Sequence, residues 1–434
     1  MNVLYIFTDQ QSFETLSCAG NPHVRTPSLD RLAARGVRFE RAYSVYPVCG
    51  PARAAMVTGR YPHEVGVFKN GDGIDETRRA SEMGPVLAAA GYDCGYGGKW
   101  HLPGISLADG HGFRRISPFG DGDLASRAIA FLREPRGRPF LLVASFDNPH
   151  NICEWGRDQP LPWGEVEVPP VGRCPPLPAN HAPTPYEPVV ARACLRADTL
   201  FNYTCDYSPD DWRRYRAAYY RLVEKVDAEI GRILDALEAL GLAERTLVIF
   251  ASDHGEMNGA HQLIQKSHFY EESARVPFIV AGPGVAAGRV ERRLVHSTLD
   301  LLPTVCDYAG CAPPADLPGR SLRPLLAGDE AAAWRTHLVG ESAIDRHGVA
   351  LRMVRTERYK YVVYEWGRYR EQLYDLESDP GEMVNLAVEE RQGGVLDEHR
   401  RLLADWCRRT GDRFGRHYAR PEVAFNVPGM AFTG

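Results

Sequence analysis

Short apolar runs bounded by Gly, Asp or Pro recur along this chain, separated by amphipathic stretches with helical spacing, a pattern that leaves few architectures open. The runs cover residues 3–8, 92–97, 140–146, 246–252 and 277–281, with a first helical pattern at 28–35. Strands alternating with helices define an α/β domain with a mostly parallel sheet flanked by helices. The longest predicted helix covers 209–240, where Tyr219, Leu222, Val223, Val226, Ile230, Ile233, Leu234 and Leu237 share one helical stripe. Such a stripe is packing surface rather than a cofactor site.

Between about 151 and 208 the chain becomes Pro-rich and loses periodicity, so it reads as a loop-rich insertion of the kind that often serves function. Trp155, His181 and Tyr186 are its candidates for walling a pocket. After 326 the pattern changes again: 349–355, 359–365 and 371–376 read as short antiparallel strands and 393–408 as a closing helix. The expected organisation is a large domain over 1–330, then a smaller α+β subdomain on a short antiparallel sheet, with a tail, over 331–434.

A chain of 434 residues can bury a large core and accommodate two domains. A formal charge of -5 with no basic run argues against nucleic-acid binding, while a local cationic pocket for an anionic substrate is permitted. No apolar run approaches the roughly 20 residues of a membrane span. The N-terminus enters a strand without a basic leader, so a cytoplasmic protein is expected, or a periplasmic one whose signal was trimmed. The ten cysteines include no C-x-x-C pair, against a zinc ribbon or dithiol site. Of 51 basic residues only five are lysine (69, 99, 225, 266 and 360), the bias of a GC-rich bacterial genome. Where lysine survives that bias, chemistry can require a compact ammonium in place of a planar guanidinium.

One segment sets a thiol beside Pro and Arg: Cys49-Gly50-Pro51-Ala52-Arg53, trailed by Gly59-Arg60. A chance C-x-P-x-R is expected about 0.08 times in a chain of this composition, and roughly once in a thousand with the Gly-Arg added. The segment resembles the signature of the type I, formylglycine-dependent sulfatases of the alkaline phosphatase superfamily. The resemblance implies an alkaline-phosphatase-like α/β fold and oxidation of Cys49 to formylglycine by a maturation enzyme. It further implies hydrolysis of a sulfate monoester, on a carbohydrate or an aryl group, by the hydrated aldehyde.

Strand ends supply the rest of the pattern. Asp9-Gln10, Asp147-Asn148-Pro149-His150 and Asp253-His254-Gly255 each follow an apolar run, and loops after the carboxyl ends of parallel strands converge on the site in such folds. Hard donors of this kind suit Ca²⁺, Mg²⁺ or Mn²⁺. By the resemblance, Asp9, Gln10, Asp253 and His254 fall on metal-ligand positions together with the oxygen at position 49, calcium being the first expectation. Many relatives carry Asp-Asp where this chain has Asp9-Gln10, which removes a negative charge. Gly98-Lys99-Trp100-His101 is similar to the segment supplying a Lys and a His, His150 to the His of a Pro-His motif, and Lys266 to a second Lys. The stretches 355–361 and 373–386 resemble the small C-terminal domain of the family.

Taken together, the resemblance implies that the metal, Arg53, Lys99 and Lys266 neutralise the sulfate. His150 with Lys266 would protonate the leaving oxygen, and His101 would take a proton from the second hydroxyl of the hydrate. An unmodified thiol has no second hydroxyl through which to expel sulfate. Two rivals stand beside this reading: a phosphonate monoester or phosphodiester hydrolase of the same superfamily, and a non-catalytic anion-binding relative in which Cys49 stays a thiol. The expected partners are a small anionic sulfated substrate, the maturation enzyme and another copy of the chain, with no nucleic acid and no membrane.

Overall fold

In the computed structural model, which describes residues 1–102, 110–197, 202–344 and 348–416, the strand Asn2–Asp9 lies inside an eight-stranded sheet. Across the sheet the strands are Arg114–Arg115, Asp93–Gly98, Phe140–Pro149, Asn2–Asp9, Thr246–Ser252, Phe278–Ala281, Gly36–Phe39 and Arg289–Glu291. Phe278–Ala281 runs against both its neighbours, and the other pairings among the described residues are parallel. The apolar runs are continuous because both faces are buried. Val3, Tyr5 and Phe7 join Leu141, Val143, Leu247 and Ile249 in one core. Leu4 and Ile6 join Leu142, Ala144, Val248 and Phe250 in the other, as a period of two requires.

The predicted long helix is Pro209–Ala239. Its start follows from sequence: the Ser208 hydroxyl accepts the Asp211 N–H at 3.2 Å, the Asp211 carboxylate accepts the Ser208 N–H at 2.9 Å, and Pro209 occupies the first turn. Val226, Ile230, Ile233, Leu234 and Leu237 pack on the sheet. Trp212, Tyr215, Tyr219 and Leu222 instead support the insertion. That insertion contains the helices Ile152–Gly156 and Val189–Ala197 and single turns at Val171–Arg173 and Asn202–Thr204, with irregular chain between.

The second, antiparallel sheet orders His337–Ile344, Val349–Thr356, Tyr359–Tyr364 and Glu371–Asp375, covered by the helix Gly393–Thr410. Its first strand is not apparent in the sequence because Gly340-Glu341-Ser342 interrupts the apolar pattern. Each of these residues answers a partner elsewhere: a Cβ on Gly340 would come within 2.7 Å of Phe269, Glu341 accepts the His63 N–H at 2.8 Å, and Ser342 donates to the Ser267 carbonyl at 2.9 Å. Lys360 of this second sheet, fully buried, has its Nζ 2.9 Å from Glu271 of the helix Glu271–Ala274 and 2.7 Å from Glu382. Among the described residues no helix is long and apolar enough to cross a membrane. The tail beyond 416 lies outside the described residues.

Candidate active site

Asp9, Asp147 and Asp253 emerge at one edge of the sheet because their strands are neighbours in parallel register, with Thr8 opposite Ser252 and Asp9 opposite Pro149. Gly98 has φ 86°, and a Cβ there would fall 1.9 Å from the Ser145 carbonyl oxygen, so only glycine allows the turn that delivers Lys99. Cys49 opens the helix Cys49–Thr58, and Arg53, one turn later, shares its face.

Arg53 organises the site. It is 2% exposed, donating from Nε to Asp253 Oδ2 and from NH2 to Asp9 Oδ2, both at 2.9 Å, and from NH1 to Ser145 Oγ and the Lys99 carbonyl. With each Oδ2 so held, both Oδ1 atoms turn toward Cys49 and His254. Asp9 Oδ1 lies 3.6 Å from Cys49 Sγ and 3.8 Å from His254 Nε2, Asp253 Oδ1 lies 3.7 Å from that nitrogen, and Sγ lies 3.1 Å from it. The donor atoms of Asp9, Cys49, Asp253 and His254 all fall within 4.8 Å of one another. His254 Nδ1 donates to the Gly255 carbonyl at 2.9 Å, which leaves the Nε2 lone pair facing the cluster. Two carboxylate oxygens, one imidazole nitrogen and an oxygen at position 49 fit a divalent cation.

Two lysines flank this cluster. Lys99 Nζ is 2.9 Å from both Asp9 Oδ2 and Asp147 Oδ1. Lys266 Nζ lies 3.2 Å from Cys49 Sγ and donates to Gln10 Oε1 at 2.6 Å. Gln10, expected among the metal ligands, therefore stands beside the cluster: its amide oxygen holds Lys266 and its Nε2 donates to Glu256 at 2.6 Å. Burial and the Asp9 carboxylate push the Cys49 thiol up, yet Lys266, His254 and Lys99 together bring it well below the ordinary value. Burial likewise raises Asp9, but Lys99, His150, Arg53 and Lys266 outweigh it and keep the carboxylate ionised. Burial and the Asp9 charge hold Asp253 above the usual carboxylate range. His150, half-buried, is driven down to about 3 by burial and by Lys99 and Lys266.

Of the sequence-derived candidates, Asp9, Cys49, Arg53, Lys99, Asp253, His254 and Lys266 form one hydrogen-bonded and ion-paired group, with Gln10 attached through Lys266. His150 stands close enough to feel Lys99, Lys266, Asp9 and Asp147 electrostatically. His101 lies exposed on the rim with φ 60°, outside the hydrogen-bond network of the described residues. The three proposed pocket walls make contacts elsewhere. Trp155 packs on Tyr215, His181 binds the Gly259 carbonyl at 2.7 Å and packs on Trp212, and Tyr186 is 52% exposed against Tyr369.

Several supporting residues carry no signal in the sequence. Asn70 accepts the Gly50 N–H at 2.8 Å beside Cys49. Buried Glu256 accepts Gln10 Nε2 and the Tyr215 hydroxyl, and the Tyr219 hydroxyl donates to the Gln10 carbonyl at 2.7 Å. Each is defined by its position in space, although Glu256, so close to Asp253-His254, could have been suspected.

Comparison with known proteins agrees with this geometry. Residues 1–122 and 118–311 match the sulfatase family, and 259–407 match the C-terminal region of N-sulphoglucosamine sulphohydrolase. The chain is 32% identical over 441 residues to the Delta 4,5-hexuronate-2-O-sulfatase of Bacteroides thetaiotaomicron, covering 95% of this chain and 90% of that protein. A solved 2-O GAG sulfatase superposes with a TM-score of 0.84 at 31% identity, over 95% of this chain and 93% of the other. The phosphonate monoester hydrolase of Agrobacterium radiobacter superposes with a TM-score of 0.78 at 26% identity, over 94% and 96%. Fold and site define an α/β hydrolase of the alkaline-phosphatase type. The chain belongs to the sulfatase family. It is an enzyme that hydrolyses sulfate esters, and its family implies a divalent metal and a formylglycine. That membership sets aside the non-catalytic anion-binding reading.

Proposed function

We propose that this sulfatase removes sulfate from a small sulfated carbohydrate, with Cys49 converted to formylglycine by a maturation enzyme. Asp9, Asp253, His254 and the residue at position 49 hold the divalent cation, calcium before magnesium or manganese because oxygen donors dominate the set. The observation that carries this reading is the convergence of Cys49 Sγ with Asp9 Oδ1 and His254 Nε2, beside buried Arg53 and Lys99 and partly buried Lys266. The relatives whose names specify 2-O-sulfated hexuronate and 2-O GAG support a carbohydrate over an aryl ester.

The bound cation would neutralise a sulfate oxygen and acidify a hydroxyl at position 49, and formylglycine hydrate would bring that hydroxyl and a second one through which sulfate departs. Arg53 locks Asp9 and Asp253 in their orientations, so its work is mostly done before substrate arrives. Lys99 and Lys266, both held charged by the carboxylates and the sulfur beside them, neutralise the peripheral oxygens of the ester. Lys266 and His150 supply the proton to the leaving oxygen. His150 is neutral in the resting site, and an anionic ester placed beside it raises its affinity for that proton. His101 on the rim is the base assigned to the second hydroxyl.

A second reading, a phosphonate monoester or phosphodiester hydrolase, is favoured by the neutral Gln10 beside Asp9 and by the likeness to the Agrobacterium enzyme. Two measurements test these proposals. The mass of the Cys49 peptide, from protein made together with a maturation enzyme, should show formylglycine; an unmodified thiol in active protein overturns the nucleophile. Relative kcat/KM on sulfate, phosphonate and phosphodiester forms of one leaving group should favour sulfate, and preference for a phosphorus ester transfers the assignment to the second reading.

A further inference from the structure

Lys99 carries three N–H donors, and two are already directed, one to Asp9 Oδ2 and one to Asp147 Oδ1, both at 2.9 Å. The third is aimed by those two. Asp9 is fixed by Arg53, so the orientation of Lys99 depends on what fixes Asp147. Its backbone N–H is held by Asp121 Oδ1 at 2.7 Å. Its other carboxylate oxygen, Oδ2, accepts Asn151 Nδ2 at 2.9 Å and the indole Nε1–H of Trp163 at 2.9 Å. With two donors on Oδ2, the carboxylate cannot rotate and Oδ1 stays on the lysine.

Trp163 belongs to the insertion, and its own placement is overdetermined. Its ring lies flush against Gly120, where a Cβ would fall 2.4 Å from a ring atom, and edge-on to Phe119 with centroids 5.6 Å apart. Its carbonyl and that of Gly164 accept Lys225 Nζ from the long helix. We infer that Trp163 is a positioning residue for Lys99, acting through Asp147, and that with Asn151 it brings the insertion into the chemistry. The inference rests on Lys99 being a sulfate-binding group.

The test separates the contact from the assignment of the lysine. Trp163→Phe removes the N–H together with the outer ring atoms that lie on Gly120, so its pairing with Asp147→Asn is what isolates the N–H. With an aryl sulfate as probe, kcat should fall about tenfold while KM stays within about twofold, as expected when orientation rather than binding is lost. In an Asp147→Asn background the same substitution should add less than about twofold, because residues acting through one another are not additive. A kcat of Trp163→Phe within about twofold of wild type, or losses that multiply across the pair, overturns the inference. Lys99→Ala is the control on the lysine: if it retains full kcat, the assignment of Lys99 fails, whereas an inactive Lys99→Ala with a normal Trp163→Phe sinks the positioning role alone. Independent of turnover, the Trp163 indole N–H resonance should move in Asp147→Asn, and an unmoved resonance refutes the contact.

Discussion

Replacing Lys360 by Met would leave the buried Glu271 carboxylate without its main counter-charge, with Glu382 beside it losing the same cation. Removing one partner of a buried ion pair costs about 3–5 kcal/mol. Glu271 keeps the Tyr43 hydroxyl at 3.0 Å and Arg275 at 3.3 Å, which places the cost at the lower end, about 3 kcal/mol. At about 2.1 cal/mol/K per residue, unfolding a chain of this length carries about 0.9 kcal/mol/K of entropy, so the melting temperature should fall by about 3 °C at pH 8. The deficit also depends on pH. In the wild type, burial raises Glu271 but Lys360, foremost among its neighbours, brings it down to about 2. Without the lysine, burial dominates and the folded value lies above the unfolded one of 4.5. Stability from such a group is complete below its unfolded value and is lost as pH rises through its folded value. The deficit of the variant should therefore grow as pH rises from 5 to 8, by calorimetry in matched buffers. An equal deficit at both pH values, or one under about 1 °C at pH 8, refutes the account. Adding Glu271→Gln should restore part of the loss at pH 8.

Three further outcomes are expected. Burial lowers His63, but Glu341, 2.6 Å from its Nδ1, outweighs that and raises it to about 9, so its stabilisation is complete below 6.5 and lost as pH rises through 9; His63→Gln should flatten the fall in melting temperature over that window, worth at most about 3 kcal/mol. Adding calcium at about 100 times its dissociation constant to chelator-stripped, formylglycine-bearing protein should stabilise it by about 2.7 kcal/mol, and Asp253→Asn should abolish that shift in a thermal melt. Gly98→Ala, with φ 86° and its new Cβ 1.9 Å from the Ser145 carbonyl oxygen, should cost upwards of about 2 kcal/mol and lower kcat together with the melting temperature, since it displaces Lys99.

Much of the candidate site was legible because its members follow elements that sequence declares. Asp9 and Asp253 follow continuous apolar runs, and Cys49 and Arg53 sit one turn apart in a segment whose composition makes chance improbable. The lysine shortage directed attention to Lys99 and Lys266, and Lys360 and Lys225 also proved to have specific partners in Glu271, Glu382 and the carbonyls at 163–164. The setting of Gln10 was not legible, because its αL backbone and its bond to Lys266 depend on groups remote in sequence. The strand His337–Ile344 escaped detection for a related reason: Glu341 and Ser342 interrupt its pattern to meet His63 and Ser267.

By itself the sequence determined the layered α/β class, the capped long helix and the carboxylates at strand ends, since these follow from local periodicity and capping chemistry that act over a few residues, and it singled out the segment from Cys49 to Arg53 by composition. Only the tertiary structure decided which carboxylate oxygen faces which cation, that Arg53 rather than solvent holds both aspartates, and that Trp163, not Trp155, His181 or Tyr186, joins the insertion to the site. Those contacts link residues far apart along the chain, and their energy depends on burial and on ångström-scale direction, neither of which is encoded in local spacing.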